Sequence, residues 1–326
     1  MFDTFWRFAV SRQRLYLARL DHQPQPWTDD EILQEFRFTN VFRSADRVSQ
    51  YLMSEVQYGK GRSQEPAEVV FRTLLFKFFN KVETWEEIER LVGEPTWAEF
   101  DFRHIASALD RAAERGPIYS AAYVIPPPKL GEQRKHRNHL RLLKQMMDDR
   151  IADRLAEADG LERVYEFLAA YPSVGPFLAY QFTIDLNYSP VLGIGENDFV
   201  VAGPGARDGI EKCFGRAARG IEAEVIRWVV ERQEEEFRRL GLDFPKLFGR
   251  DLHLIDAQNL FCEVDKYARV AHPEVSGISG RTRIKQRFRP HGPVPSPFFP
   301  PRWNLTVERS APPESRRVDH VQGALV

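Results

Sequence analysis

A carboxylate at the start of a glycine-rich loop is the residue in this sequence best suited to acid–base chemistry. The stretch ENDFVVAGPGARDGIEKCF opens that loop with Asp198. A carboxylate there can take a proton from an attacking group or stabilise developing positive charge, and both roles need the anion. Two other aspartates compete with it: Asp185 lies in an apolar helix and suits a buried hydrogen bond, and Asp208 precedes Gly209 and suits an N-cap. A structural Asp198 that caps its loop is the alternative.

The sequence YPSVGPFLAYQF predicts a tight turn between two apolar helices. Pro172, Val174 and Gly175 belong to the turn, and Gly175 permits close approach or a positive φ. The following helix start exposes backbone N–H groups, which bind phosphate without a charged side chain. This is the shape of a helix–hairpin–helix, which grips a nucleic-acid backbone, and a plain helical turn is the alternative.

A second phosphate cradle is predicted in AGPGARDGI, where Gly203, Gly205 and Gly209 free the backbone just before a helix. A helix-entry loop explains the same residues equally well. The sequence contains no GxxxxGK[ST] motif, so it carries no recognisable nucleotide-kinase module of its own.

Two segments place polar residues at helical spacing in apolar surroundings. Asn40, Arg43 and Asp46 fall at i, i+3 and i+6, and the arginine suits a phosphate or a carboxylate. A structural Arg–Asp pair is the alternative.

The second segment places four polar residues on one helix face, at steps of three, four and three residues: Asp256, Asn259, Glu263 and Lys266. A buried polar stripe is costly unless satisfied, so it either ties helices together or faces a ligand.

The charge is balanced overall but not locally. The chain has 46 Lys and Arg against 47 Asp and Glu, a net charge of −1. A run at 281–289 carries Arg281, Arg283 and Lys285 with two further arginines and no acid, and a second basic run spans 134–144. Each run predicts either a polyanion-binding face or a solvated helix surface.

The elements that must position these residues are predicted to be helices, in one domain followed by a tail. Apolar residues recur at helical spacing, no useful period-2 pattern occurs, and 43% hydrophobic residues supply a large core. Capping boxes are predicted at Thr28 with Glu31 and at Thr84 with Glu87, and one helix is predicted over 135–158. We divide the chain into a helical extension (1–29), the main domain (30–290) and a Pro-rich tail (291–326) that is extended or disordered.

Several classes of protein are excluded by composition. No apolar stretch reaches 18 residues and arginines interrupt the first 20, so neither a membrane span nor a secretory signal is expected, and we predict a cytoplasmic protein. Cys213 and Cys262 are the only cysteines, too few for a four-cysteine metal site, and no cofactor or metal is expected.

The ordered set of these motifs resembles one family. The segments RFTNVFRSADRVSQYL, IYSAAYVI, YPSVGPFLAYQFTIDL, NDFVVAGPGARDGIEKCF and LIDAQNLFCEVDKYAR are similar to the helical domain of 5-hydroxymethyluracil DNA kinases. The same domain occurs in α-glutamyl/putrescinyl thymine pyrophosphorylases. The resemblance covers about 30–290 and implies a mainly α, helix–hairpin–helix DNA glycosylase-like fold.

The resemblance also implies which residues act. The glycosylase fold places its catalytic aspartate near Asp198, while Phe177 stands near the position of the lyase lysine, so a lysine-based mechanism is not expected. The other implied positions bind nucleic acid or substrate: Asn40, Arg43, Asp46, Tyr123, Gly203, Gly205, Asp256, Asn259 and Lys266.

The implied function is an enzyme that acts on a modified thymine or uracil in double-stranded DNA. The base would leave the stack, and an activated 5-hydroxymethyl group would be displaced during thymine hypermodification. A separate kinase or base-modifying enzyme is a possible partner. The alternatives are a non-catalytic DNA-binding module or adaptor, and a DNA glycosylase for a modified pyrimidine.

Overall fold

A computed structural model of the chain describes residues 1–122, 124–289 and 292–307. These residues are mainly helical and form no strand beyond two isolated bridges, Phe36 with Arg287 and Leu247 with Arg250. The predicted mainly α class is therefore confirmed. No helix among the described residues is long and apolar enough to cross a membrane.

The α-helices are numbered in chain order. The first seven are α1 Phe2–Leu20, α2 Glu31–Glu35, α3 Arg47–Tyr51, α4 Pro66–Phe79, α5 Val82–Val92, α6 Phe102–Arg115 and α7 Lys135–Asp148. The next seven are α8 Ile151–Ala156, α9 Leu161–Ala169, α10 Pro176–Asn187, α11 Pro204–Phe214, α12 Glu222–Glu231, α13 Gln233–Arg239 and α14 Leu254–Ala271. Short turns of 3₁₀ or π-helix occur at Arg43–Ala45, Leu52–Gln57, Arg216–Ala218 and Pro301–Trp303.

Both capping-box predictions are wrong. The carboxylate of Asp30, not the hydroxyl of Thr28, caps α2, because it accepts the N–H groups of Ile32 and Leu33 at 2.9 and 3.0 Å. Thr84 lies inside α5, where its hydroxyl donates to the Ile118 carbonyl at 2.9 Å. In α2 a carboxylate nearer the helix start takes the cap, whereas α5 begins two residues before Thr84 and has no side-chain cap.

The helix predicted over 135–158 is broken into α7 and α8. Arg150 adopts a positive φ of 55° between them. A left-handed residue ends the hydrogen-bond ladder of α7 and turns the chain sharply, so α8 runs in a new direction.

The helices enclose two hydrophobic cores that share α10. Tyr180, Ile184 and Tyr188 face the first core, which is built from the two ends of the chain. Leu178 and Phe182 face the second core, which is built from α4 to α9. A helix with two apolar faces is buried all round, and its polar side chains must find partners inside the protein.

Residues 1–20 and 292–307 pack on the rest of the domain. The predicted extension 1–29 contains α1, whose Phe5 and Trp6 are fully buried, and the rings of Phe5 and Phe261 of α14 lie 4.5 Å apart. Residues 292–307 of the predicted tail are irregular apart from Pro301–Trp303, and Phe299 is buried. The rest of that tail and Tyr123 lie outside the described residues.

Candidate functional site

A buried ion cluster joins the two cores. The Asp185 carboxylate on α10 accepts both Nη atoms of Arg43, at 2.8 and 3.0 Å, and the Nζ atom of Lys77 lies 2.9 Å away. Burial alone would raise the pKa of Asp185, but the two cations outweigh it and hold the pKa below its ordinary value. Arg43 also donates Nε to Gln181 at 3.2 Å. The arginine therefore binds a carboxylate, as expected for a structural pair, but its partner is Asp185 instead of Asp46.

The predicted common face of Asn40, Arg43 and Asp46 does not exist, because only Arg43 lies in a helical turn. Asn40 donates its backbone N–H to the Asp46 carboxylate at 2.7 Å and receives Arg12 Nη2 on its side-chain oxygen at 2.5 Å. Burial raises the pKa of Asp46 to about 7. Arg12, from α1, was missed because it lies far away in sequence, and nothing in α1 marks it.

The polar stripe of α14 holds the 39–46 loop. Asp256 accepts the Arg43 backbone N–H at 2.9 Å, and Asn259 donates to the Asn40 carbonyl at 3.1 Å. Glu263 accepts the Thr39 N–H at 2.9 Å and pairs with Lys266 at 3.0 Å. Six predicted positions thus lie in one contiguous network: Asn40, Arg43, Asp46, Asp256, Asn259 and Lys266.

The hairpin joins α9 to α10 as predicted, but its geometry differs in detail. The positive φ, 65°, belongs to Ser173, whereas Gly175 has φ −72° and serves as the N-cap of α10. Val174 is buried in the second core, while Pro172 and Gly175 are exposed. An added Cβ at Gly175 would meet nothing within 4 Å, so the N-terminus of α10 is open to a ligand.

The glycines of the predicted second cradle serve helix packing. An added Cβ on Gly205 would lie 2.2 Å from Cys262 Sγ, and one on Gly209 would lie 2.0 Å from the Phe261 carbonyl oxygen. These two glycines let α11 approach α14 closely and present no open cradle. Gly203 is the N-cap of α11, and its added Cβ would lie 3.0 Å from Phe177 of α10.

These contacts define a continuous strip, which we call the hairpin strip. It runs from Gly175 through Phe177 to Gly203, where α10 and α11 begin side by side. It continues along α14, through Asn259 to Lys266. The strip therefore brings two helix N-termini next to the polar network of the 39–46 loop.

Asp198 lies in a loop whose three consecutive polar residues bind three different elements. Asp198 is exposed and its carboxylate accepts the N–H of Leu161, the first residue of α9, at 2.9 Å. Asn197 accepts the Leu254 N–H at 3.0 Å. Glu196 binds Arg250 Nη2 at 2.6 Å. The contact of Asp198 with the Leu161 N–H therefore agrees with the alternative that Asp198 is a structural cap.

Glu196 is the interior carboxylate that sequence reasoning missed. It is 7% exposed, and burial raises its pKa to about 7, because the attraction of Arg250 offsets only part of the cost of desolvation. Arg250 reaches it from a turn in which Phe248 has φ 51° and Gly249 has φ 88°. A bulky residue in the left-handed region is strained, and such strain is common at functional sites.

The basic run at 134–144 is largely paired with acids, whereas the run at 281–289 forms an ion pair among the described residues only through Arg287, which contacts Glu35. In the 134–144 run, Arg134, His136 and Arg137 contact Asp110, so the solvated-surface alternative fits it. In the other run, three side chains are exposed and make no ion pair with another described residue: Arg281, Arg283 and Lys285. That segment crosses α11 at Asp208, which accepts the Ser279 N–H at 2.7 Å and is not an N-cap.

The described residues contain no group of three or more His, Cys, Asp or Glu side chains that could hold a metal ion. Cys262 is half-buried, and burial raises its pKa to about 12. The thiol is therefore protonated at neutral pH and poorly suited to be a nucleophile.

Comparisons with known proteins agree with the motifs. The chain is 27% identical over 288 residues to a 5-hmdU DNA kinase of Bacillus phage SP10, an alignment that covers 82% of this chain and 45% of the relative. The chain thus spans about half the length of that relative. No solved structure matches this chain. The family model for the helical domain of 5-hmdU DNA kinase matches residues 1–277, and the chain belongs to that family.

Proposed function

We propose that this chain is an enzyme module that binds double-stranded DNA and acts on a modified uracil or thymine base. The observation that carries the proposal is the hairpin strip, where the open Gly175 and the N-cap Gly203 lie on one path with Asn259 and Lys266 of α14. Membership of the 5-hmdU DNA kinase helical-domain family supports DNA as the substrate. A helix–hairpin–helix, glycosylase-like arrangement is part of the same proposal, supported by the α9–turn–α10 geometry.

The hairpin and the basic run at 281–289 would hold the DNA backbone. α10 begins beside the open Gly175, and a helix N-terminus attracts anions. Arg281, Arg283 and Lys285 would add positive charge along the same path. Because these contacts address phosphates, they would give affinity without sequence preference.

The base would leave the stack and be processed near the loop that carries Asp198. The exposed Asp198 carboxylate is accessible to DNA and would act as a base or stabilise developing charge. The reaction would displace an activated 5-hydroxymethyl group, with activation supplied by a separate kinase or base-modifying enzyme. A DNA glycosylase that removes a modified pyrimidine is the weaker version of this proposal.

A second candidate is a non-catalytic DNA-binding module or adaptor. The capping contact between Asp198 and Leu161 favours it, because that carboxylate already has a structural task. The missing GxxxxGK[ST] motif also favours it, because the activating step would then belong to another module.

DNA binding is tested with a labelled duplex at several salt concentrations. We expect the logarithm of affinity to fall linearly with the logarithm of salt concentration, because phosphate contacts release counterions. Gly175→Val should weaken binding with the fold intact. The triple change of Arg281, Arg283 and Lys285 to Gln should reduce the slope of log affinity against log salt concentration by up to about 3.

The control replaces Arg103 and Arg111, both exposed on α6, with Gln. Salt-independent binding, or equal losses in the control, would refute the proposed path.

Activity is tested by mass spectrometry of nucleosides after incubation with DNA that contains thymine, uracil, 5-hydroxymethyluracil or its phosphorylated form. Under the enzyme proposal, Asp198→Asn keeps DNA binding and abolishes turnover, because the amide can still accept the Leu161 N–H but cannot take a proton. Full activity of Asp198→Asn would remove Asp198 from the mechanism. DNA binding without turnover on any substrate would favour the adaptor.

A further inference from the structure

A half-buried tryptophan near the end of the described residues stacks on the arginine that binds the interior carboxylate. The guanidinium carbon of Arg250 lies 3.7 Å from the centroid of the Trp303 ring, and the ring meets Tyr188 edge-on at 5.7 Å. The Phe299 ring stacks with it as well, with centroids 6.0 Å apart and planes inclined by 24°. We call the space between Arg250, Tyr188 and Phe299 the aromatic slot.

The slot also carries polar groups. Arg250 stacks on the Trp303 ring and donates Nη2 to the Glu196 carboxylate at 2.6 Å, so one guanidinium contacts both groups. A flat group that took the place of the ring would therefore lie next to a buried ion pair.

The segment that carries Trp303 is attached at two places. Gln50 exchanges two hydrogen bonds with the backbone of Phe298, at 2.7 and 3.0 Å. The Arg302 guanidinium donates to the carbonyls of Asn187 and Ser189 at the end of α10. The segment lies outside residues 1–277, which the family model matches. Trp303 itself is half-buried and packs at the edge of the first core.

We propose that the aromatic slot binds a pyrimidine base extruded from DNA, and that Trp303 occupies the place of the base in the free protein. A guanidinium plane stacks on a base as it does on an indole. Uracil and thymine carry an imide N–H at N3, which the Glu196 carboxylate would accept, whereas cytosine has an acceptor at N3 and offers only its exocyclic amino group as a donor. The inference rests on the proposed function and adds the place where the base is held.

The test compares duplexes that are identical except for one central base: 5-hydroxymethyluracil, thymine or cytosine. Affinities of the full chain and its variants are measured by fluorescence anisotropy. Trp303→Ala removes the competing ring, so we expect affinity for the first two duplexes to rise roughly tenfold, the scale of a partly buried cation–π contact. Affinity for the cytosine duplex should not change. Trp303→Phe keeps a ring in the slot and should behave as the wild type.

The matched control is Trp228→Ala, because Trp228 is 38% exposed and packs against Phe2 and Phe214, away from the slot. A second measurement covers the case in which Trp303→Ala fails to fold. The wild-type chain is labelled with 5-fluorotryptophan, and the ¹⁹F resonance lost in Trp303→Phe is followed. It should move to a solvent-exposed shift when 5-hydroxymethyluracil DNA is added.

The outcomes separate the two proposals. If neither the wild type nor the variants bind DNA at low salt, the proposed function fails and the slot proposal falls with it. If DNA binds but Trp303→Ala leaves all three affinities in the same ratio, the slot proposal alone is wrong. A fluorotryptophan resonance that stays in place while DNA binds overturns it in the same way. Equal gains for cytosine would assign Trp303 to a general cover with no role in base recognition.

Discussion

The Asp185 carboxylate is the single group whose loss should damage this fold most. It is fully buried on α10, and its only charged neighbours among the described residues are Arg43 and Lys77. Asp185→Asn keeps the shape but removes the negative charge, so two buried cations lose the carboxylate that both of them contact. Removing one partner of a buried ion pair costs about 3–5 kcal/mol, because the remaining charge stays desolvated.

That cost is large for a protein of this size. Domains are stabilised by only about 5–15 kcal/mol, so the variant should lose roughly a fifth or more of its free energy of unfolding. Two hydrogen bonds reduce this destabilisation in part, because Arg43 keeps its bond to Gln181 and Lys77 keeps its bond to Asn80 at 2.5 Å. The measurement is urea unfolding followed by circular dichroism, with the midpoint and slope fitted separately.

The control is the exposed pair of Arg47 and Glu83, whose side chains are 66% and 54% exposed. Glu83→Gln should cost about 0–1 kcal/mol, as surface pairs do. A loss below about 1 kcal/mol in Asp185→Asn would refute the reasoning, because the cluster would then behave like a surface pair.

A third variant separates stability from function. Changing Arg43 and Lys77 to Met and Asp185 to Leu replaces all three charges with apolar groups of similar volume. Such replacements of buried ion clusters are often neutral or stabilising, so most of the lost stability should return. DNA binding that returns with it would show that the cluster only joins the two cores.

Two further predictions concern packing and pH. Gly205→Ala should lower stability by about 1–3 kcal/mol, because its Cβ would overlap Cys262 Sγ, and Cys262→Ala in the same chain should restore most of the melting temperature. Glu196 holds its proton in the folded state up to about pH 7 but releases it near 4.5 when unfolded, so wild-type stability should fall as pH rises between those values. Glu196→Gln should flatten that fall in denaturant titrations and be more stable by about 1–3 kcal/mol at pH 7.5, and an unchanged pH profile would contradict the assignment.

Periodicity and turn residues were enough to predict the helical class and the position of the hairpin. Pro66 and Pro176 open α4 and α10, as their fixed φ and missing N–H favour at a first helical position. The polar stripe of α14 was also correctly read as unusual, because a charged residue every three to four positions on a buried helix must meet partners. What the pattern could not give is the identity of those partners.

Long-range pairing is the part that local patterns do not encode. Arg43 meets Asp185, 142 residues away in sequence, and Arg12 meets Asn40 across the start of the domain. The spacing of Asn40, Arg43 and Asp46 looked helical, but the backbone N–H of Asn40 binds Asp46 and bends the segment into a loop. The glycines of α11 carried the same ambiguity, since close helix packing and an open phosphate cradle both require a missing Cβ.

The loop at 196–198 shows why a carboxylate cannot be assigned to chemistry from its neighbours in sequence. Asp198 and Glu196 lie two residues apart in the same glycine-rich loop, and the sequence offers no reason to prefer the buried one. Their environments differ because Asp198 faces solvent at the start of α9, whereas Glu196 points inward to Arg250. Burial raises the pKa of Glu196 to about 7, which is near the value at which a general acid or base works best at neutral pH. If the chain is catalytic, Asp198→Asn and Glu196→Gln should be compared in one activity assay. Loss of the proton carrier abolishes turnover in a folded protein, whereas loss of a cap lowers stability, so the comparison assigns proton transfer to one of the two residues.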